Sequence, residues 1–178
     1  MARHFLVDYT TEREKIMAVK IYPKKSSKKI SKNFAAYEFD CPCAKCDVTP
    51  IDEDFVVNVL QKIRDKFGKP MYTNAYRCPA HNAEVKNASP TSRHMEGTAF
   101  DVSIPGVDPL EIAKEAERMG VKGIGYYKKD GFVHLDSRTT KSYWSGHEQT
   151  KVDTFLDSSD AKLNNLLDEL EALVRKYR

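Results

Sequence analysis

The sequence predicts an α+β domain with a mainly antiparallel central sheet, flanking helices and an added C-terminal amphipathic helix. Three observations carry this expectation. Apolar runs of strand length, Met71 to Tyr76, Ala99 to Ile104, Gly123 to Tyr127 and Phe132 to Asp136, are bounded by turn signals. Two stretches with helical spacing sit among these runs without alternating regularly with them, which argues against a parallel βαβ fold. The last two runs flank Lys128-Lys129-Asp130-Gly131, and its Asp-Gly pair marks a hairpin between antiparallel neighbours.

Taken in order, residues 1–33 are polar and basic, with Lys20, Lys24, Lys25, Lys28, Lys29 and Lys32 crowded around Pro23 and a Ser pair. A solvated N-terminal arm is expected, with a foothold on an anionic surface such as teichoic acid or lipid headgroups as the alternative. The compact domain is expected over residues 34–145. Val56, Leu60, Ile63 and Phe67 have helical spacing, closed by Gly68 and Pro70. Residues 77–93 read as a long loop, a class often kept for function. Asp108-Pro109-Leu110-Glu111 starts a second helix with a capping Asp and Pro in the first turn, and Gly120 stops it. Residues 146–178 are expected to be a linker and a helix whose Leu163, Leu166, Leu167, Leu170 and Val174 form one apolar stripe, a packing surface or a dimer seam.

Composition narrows the function. Of 178 residues, 40% are hydrophobic and 31% charged, an ordinary globular balance rather than a disordered one. A net charge of +3 is too mild to argue for a nucleic-acid partner. No apolar run approaches the roughly 20 residues of a membrane span. The N-terminal residues lack an apolar leader core and a small-residue cleavage site, so synthesis in the cytoplasm without a signal peptide is expected. Cys41, Cys43 and Cys46 form Cys-x-Cys-x-x-Cys, and Cys78 lies far along the chain. A four-thiolate zinc site, disulfide pairing, and free buried thiols are all open for these four.

Two stretches carry chemistry: Ser92-Arg93-His94-Met95-Glu96-Gly97-Thr98-Ala99-Phe100-Asp101 and Phe132-Val133-His134-Leu135-Asp136. A catalytic zinc needs three imidazole or carboxylate ligands and an open position for water. Asp101 falls inside an apolar strand, where a carboxylate is costly unless paired, and a divalent ion is a suitable partner. His134 lies between Val133 and Leu135 and so shares a strand face with Asp136. Taken singly, each of these residues is more simply a structural histidine or a capping Asp.

Together the two stretches, Ser-x-His-x-x-Gly-x-Ala-x-Asp and later Phe-Val-His-Leu-Asp, resemble the zinc D-alanyl-D-alanine carboxypeptidase and murein endopeptidase family, whose fold is shared with lysostaphin-type endopeptidases and the hedgehog signalling domain. The likeness extends through Asn33 to Phe39, Ala75 to Asn82, Gly123 to Tyr127 and Trp144, and its flavour is that of the compact phage and prophage lysins. The resemblance implies a peptidase acting on peptidoglycan stem peptides, as a D,D-carboxypeptidase or an endopeptidase, on the cell wall after release or within a phage system. It implies His94, Asp101 and His134 as zinc ligands and Arg77 as a catalytic, substrate-side cation. Ser92 and His81 are expected in supporting, substrate-binding positions. Relatives place an acid three residues before the last histidine, where this chain has Gly131. Asp136 is therefore the expected general base and Asp130 its rival, so that Asp136→Ala should keep zinc and lose turnover. Two other classes compete with the hydrolase: a non-catalytic zinc module binding wall or protein, and a metal-binding phage assembly protein.

Overall fold

The computed structural model describes residues 19–69 and 71–177. All four expected strands form and join one six-stranded sheet. Its members are β3 (Met71–Asn74), β4 (Ala99–Ser103), β5 (Gly123–Tyr127), β6 (Phe132–Asp136), β7 (Ser142–Ser145) and β8 (Thr150–Lys151), in the order β3-β4-β6-β5-β7-β8. All pairs are antiparallel except β5 with β7. The β5–β6 hairpin turns through Gly131, whose φ of 74° explains the glycine.

Alternation along these strands separates two faces. Phe100, Val102, Ile124, Val133 and Leu135 are buried to 1% exposure or less and point to one side. There they meet a helical stretch α1 (residues 53–67, with a wider π turn at Val56–Leu60), which buries Val56, Leu60 and Ile63. They also meet α3 (Pro109–Arg118), which buries Ile112, Ala113 and Ala116 and is capped by Asp108, whose side chain accepts from the Leu110 amide at 2.9 Å. Phe100 sits between the edge of Phe39 and the stacked ring of Phe55. Asp101 and His134, one residue out of phase, necessarily face the other side.

Three expectations change. The basic segment does not stand off as an arm up to residue 33: from Val19 it is folded in. Val19–Pro23 is β1, paired antiparallel with β2 (Val48–Asp52), and Tyr22 and Ile30 pack on the core. Its lysines hid this, because charge on an edge strand leaves the backbone ladder intact. Residues 1–18 lie outside the described residues, as does Pro70. The loop of 77–93 contains a short helix α2 (Pro79–Asn82). The segment after 145 is not a plain linker, because Phe155 enters the core and its amide donates to Glu117 at 2.7 Å. The final helix α4 (Ser158–Lys176) is longer than its apolar stripe and leaves Leu166, Leu170, Leu173 and Val174 exposed.

Candidate active site

The register of the sheet builds the site. Asp101 on β4 lies opposite His134 on β6, which lies opposite Gly125 on β5, which in turn lies opposite Trp144 on β7. These four positions form one row on the face away from the core. His94 arrives from a 3-10 turn, Arg93–Glu96, closed by Gly97 at a φ of 73°. A Cβ on Gly97 would stand 2.2 Å from the Pro50 carbonyl oxygen, so this glycine is required by space as well as by φ. Its own carbonyl accepts the Asp52 amide, tying the turn to β2.

The expected ligands converge. His94 Nε2 is 3.2 Å from His134 Nδ1 and 3.4 Å from Asp101 Oδ1, and His134 Nδ1 is 3.0 Å from the same oxygen. Ligands about 2.0–2.1 Å from a tetrahedral zinc stand about 3.3–3.4 Å apart, so these three atoms fit one face of such a site. The other ring nitrogens are also occupied. His94 Nδ1 lies 2.7 Å from the Ala75 carbonyl, and His134 Nε2 lies 3.1 Å from Asp136 Oδ2. Each outer acceptor takes the ring N–H and leaves the converging nitrogen with its lone pair. Asp101 is held well below the usual carboxylate range: burial pushes it up, but hydrogen bonds and charge from His134 and His94 outweigh burial.

Asp136, expected as the general base from its position on the strand, is engaged by His134 and Arg138. It does share a face with His134, but its carboxylate sits at the outer nitrogen of that ring, on the far side from Asp101 and His94. It is fully buried and gripped by Arg138, with Nε at 2.7 Å and Nη2 at 2.6 Å, while the Arg138 amide donates at 3.0 Å. Burial would raise its pKa, but His134 and Arg138 hold it low. A carboxylate so occupied orients the imidazole and is closed to water. Asp130, the rival, is exposed on the β5–β6 hairpin with Oδ2 3.0 Å from His147 Nε2.

Arg77 is buried and donates through Nη2 to Ser92 Oγ at 3.2 Å, while its Nε has no hydrogen-bond partner. Burial lowers its pKa and the charges of Asp101 and Cys41 oppose that, so it stands as a cation in the field of the ligand set. Ser92 thus supports Arg77. His81 is elsewhere than expected: its Nδ1 lies 3.4 Å from Cys41 Sγ, at the cysteines rather than at the histidines.

Three residues named only as part of the family likeness, with no role given, take part in the site. Gly123 and Gly125 belong to the site face of β5, and a Cβ there would stand 2.2 Å from the Asp136 carboxylate or 2.5 Å from the Trp144 ring. Trp144 packs against His134, with ring centroids 5.3 Å apart, and donates to Tyr127 Oη at 2.9 Å. Two glycines spaced by two inside an apolar strand were the available signal for close approach.

On this face of the sheet, His94, Asp101 and His134 each offer one ligand atom within 4.8 Å of the others, a group that could hold a metal ion. A family model described as Peptidase M15 matches residues 32–136, more than half of the chain, and the chain belongs to that family. Among curated proteins it is similar to the probable peptidoglycan L,D-endopeptidase MepK of Haemophilus influenzae, at 34% identity over 74 residues, covering 42% of this chain and 37% of that protein. It is also similar to the peptidoglycan L,D-endopeptidase MepK of Escherichia coli K12, at 36% identity over 55 residues, covering 31% of this chain and 30% of that protein. The chain therefore spans about a third of the length of these relatives.

Proposed function

We propose that this protein is a zinc-dependent peptidase that hydrolyses a peptide bond in peptidoglycan stem peptides, acting as an endopeptidase. The observation that carries the reading is the convergence of His94 Nε2, Asp101 Oδ1 and His134 Nδ1 within 3.0–3.4 Å of one another, with both imidazoles oriented from outside. Membership of the M15 family supports peptide hydrolysis, and the names of the MepK relatives support the endopeptidase over the carboxypeptidase alternative.

A zinc ion held there supplies Lewis acidity, lowering the pKa of a water and polarising the scissile carbonyl. The remaining work belongs to the chain. Arg77, whose Nη2 donates to Ser92, is the donor for a substrate carbonyl or carboxylate and for charge developing on the carbonyl oxygen. Trp144 and Tyr127, linked at 2.9 Å, wall the side next to His134 and keep it from bulk water. With Asp136 engaged, we assign the proton-accepting role to Asp130 with His147. The Asp130 carboxylate is solvent-exposed and lies 3.0 Å from His147 Nε2, and burial together with the charges of Asp101 and Asp130 raises the pKa of the Tyr127 hydroxyl, which supports this reading.

The test is incubation of zinc-loaded protein with purified muropeptides, followed by mass spectrometry. Cleavage at one stem-peptide bond, abolished by chelator and by His94→Ala, is expected. Intact muropeptides with zinc-loaded, folded protein would favour the non-catalytic binding module instead.

A further inference from the structure

The four cysteines lie outside the site just described and outside the main core. Cys41 and Cys78 are buried with Tyr76 in a small satellite cluster, and Cys43 and Cys46 pack against it half-exposed. Cys43 Sγ stands 3.4 Å from Cys41 Sγ, 3.5 Å from Cys46 Sγ and 3.4 Å from Cys78 Sγ, and all four sulfurs lie within 4.8 Å of one another. These separations are far from the roughly 2.05 Å of a disulfide. They approach the edge of a tetrahedron with zinc–sulfur bonds of about 2.3 Å, which is about 3.8 Å.

The surroundings suit thiolates. Amide N–H groups of Cys78, Lys45 and His81 donate to the sulfurs of Cys41, Cys43 and Cys78, each at 3.4 Å. Lys24 Nζ lies 3.7 Å from Cys46 Sγ and also donates to the Cys43 carbonyl, so a cation faces what would be a doubly negative centre once zinc is bound. His81 offers its ring to Cys41 from outside. Residues 40–47, just before β2, have neither helix nor strand and contribute little apolar surface beyond their cysteines, so apart from polar ties through Asp40, Lys45 and Asp47 a metal would be their main anchor.

We propose that Cys41, Cys43, Cys46 and Cys78 bind one zinc ion as a structural tetrathiolate, distinct from the histidine–aspartate centre. The ion closes its coordination sphere with protein ligands and leaves no position for water, as structural sites do. Its position also gives it a task. Cys78 follows Ala75, whose carbonyl orients His94, and Arg77, whose amide donates to the His94 carbonyl at 3.2 Å. The metal therefore pins residues 40–47 to the strip 75–78 that supports the other centre. This proposal stands whether or not the chain cleaves peptidoglycan.

Metal analysis of the full chain, purified under reducing conditions with zinc, is expected to give two zinc ions per chain. His94→Ala and Cys43→Ser should each give one, and Cys43→Ser should melt at a lower temperature. Because Cys43→Ser could fail to fold, the wild-type chain loaded with cobalt(II) provides the independent reading. Sulfur-to-cobalt charge-transfer absorption is expected there, and also in folded His94→Ala. Folded His94→Ala protein that holds no zinc, or cobalt-loaded protein without that absorption, would overturn the proposal, as would disulfides between these cysteines in fully active, zinc-loaded protein.

Discussion

Asp136 owes its role to which side of an imidazole it meets. Two residues from His134 on the same strand face, it reaches the outer nitrogen, and Arg138 then neutralises it in a fully buried position. Asp136→Asn is accordingly expected to weaken zinc binding at the histidine site by about 10–100-fold, the usual effect of losing an outer partner of a ligand. Competition with a zinc chelator measures this, and undiminished affinity would return Asp136 to the role of base. Asp130→Asn should keep zinc and lower turnover by about 100-fold or more; muropeptide kinetics with full activity would reduce Asp130 to a turn residue. His134 gives a pH signature in the metal-free protein. Burial lowers its pKa, but Asp101 and Asp136 outweigh that and raise it to about 9. The folded value exceeds the unfolded value of about 6.5, so the stability it contributes is complete below about 6.5 and is lost as pH rises through about 9. Chemical unfolding of metal-free wild type and His134→Gln should therefore differ most in mild acid and converge at alkaline pH. A constant gap between the two would contradict the assignment.

At the scale of the element, β5 shows how a strand makes room on one face while packing on the other. Ile124 fills the core, while Gly123 and Gly125 leave space for Asp136 and for Trp144 on the site face. Gly125→Ala would bring a methyl to 2.5 Å from the indole ring, which must then shift away from His134. The expected cost is about 1–3 kcal/mol, as for overpacking elsewhere. Trp144 is the only tryptophan in the chain, so its fluorescence reports the change directly. An unaltered emission spectrum would show that the ring had not moved. The hairpin of β5 and β6 was legible from its Asp-Gly turn and alternation, because both are local signals. The pairing of β1 with β2, and the parallel run of β5 beside β7, were not, because each joins segments whose own patterns are neutral.

For the whole molecule, the site stands on the reverse of the core. Phe100, between Phe39 and Phe55, and Asp101, on the side of His134, are adjacent in one strand. Phe100→Ala should cost about 3–5 kcal/mol in urea unfolding, whereas Leu170→Ala on the exposed side of α4 should cost little. Equal effects would mean that α4 is buried against something in solution. The order of residues alone disclosed the strands, the two main helices and the trio His94, Asp101 and His134 that meets on the site face. Periodicity is written locally, and the family motif carries its ligands at set places. The folded arrangement alone assigned Asp136 to His134 rather than to water, took His81 to the cysteines, drew Cys78 to Cys43, and seated Trp144 over Gly125. Those relations depend on sheet register and on contacts between distant segments, and no local pattern encodes which side of a ring, or which distant sulfur, a residue will meet.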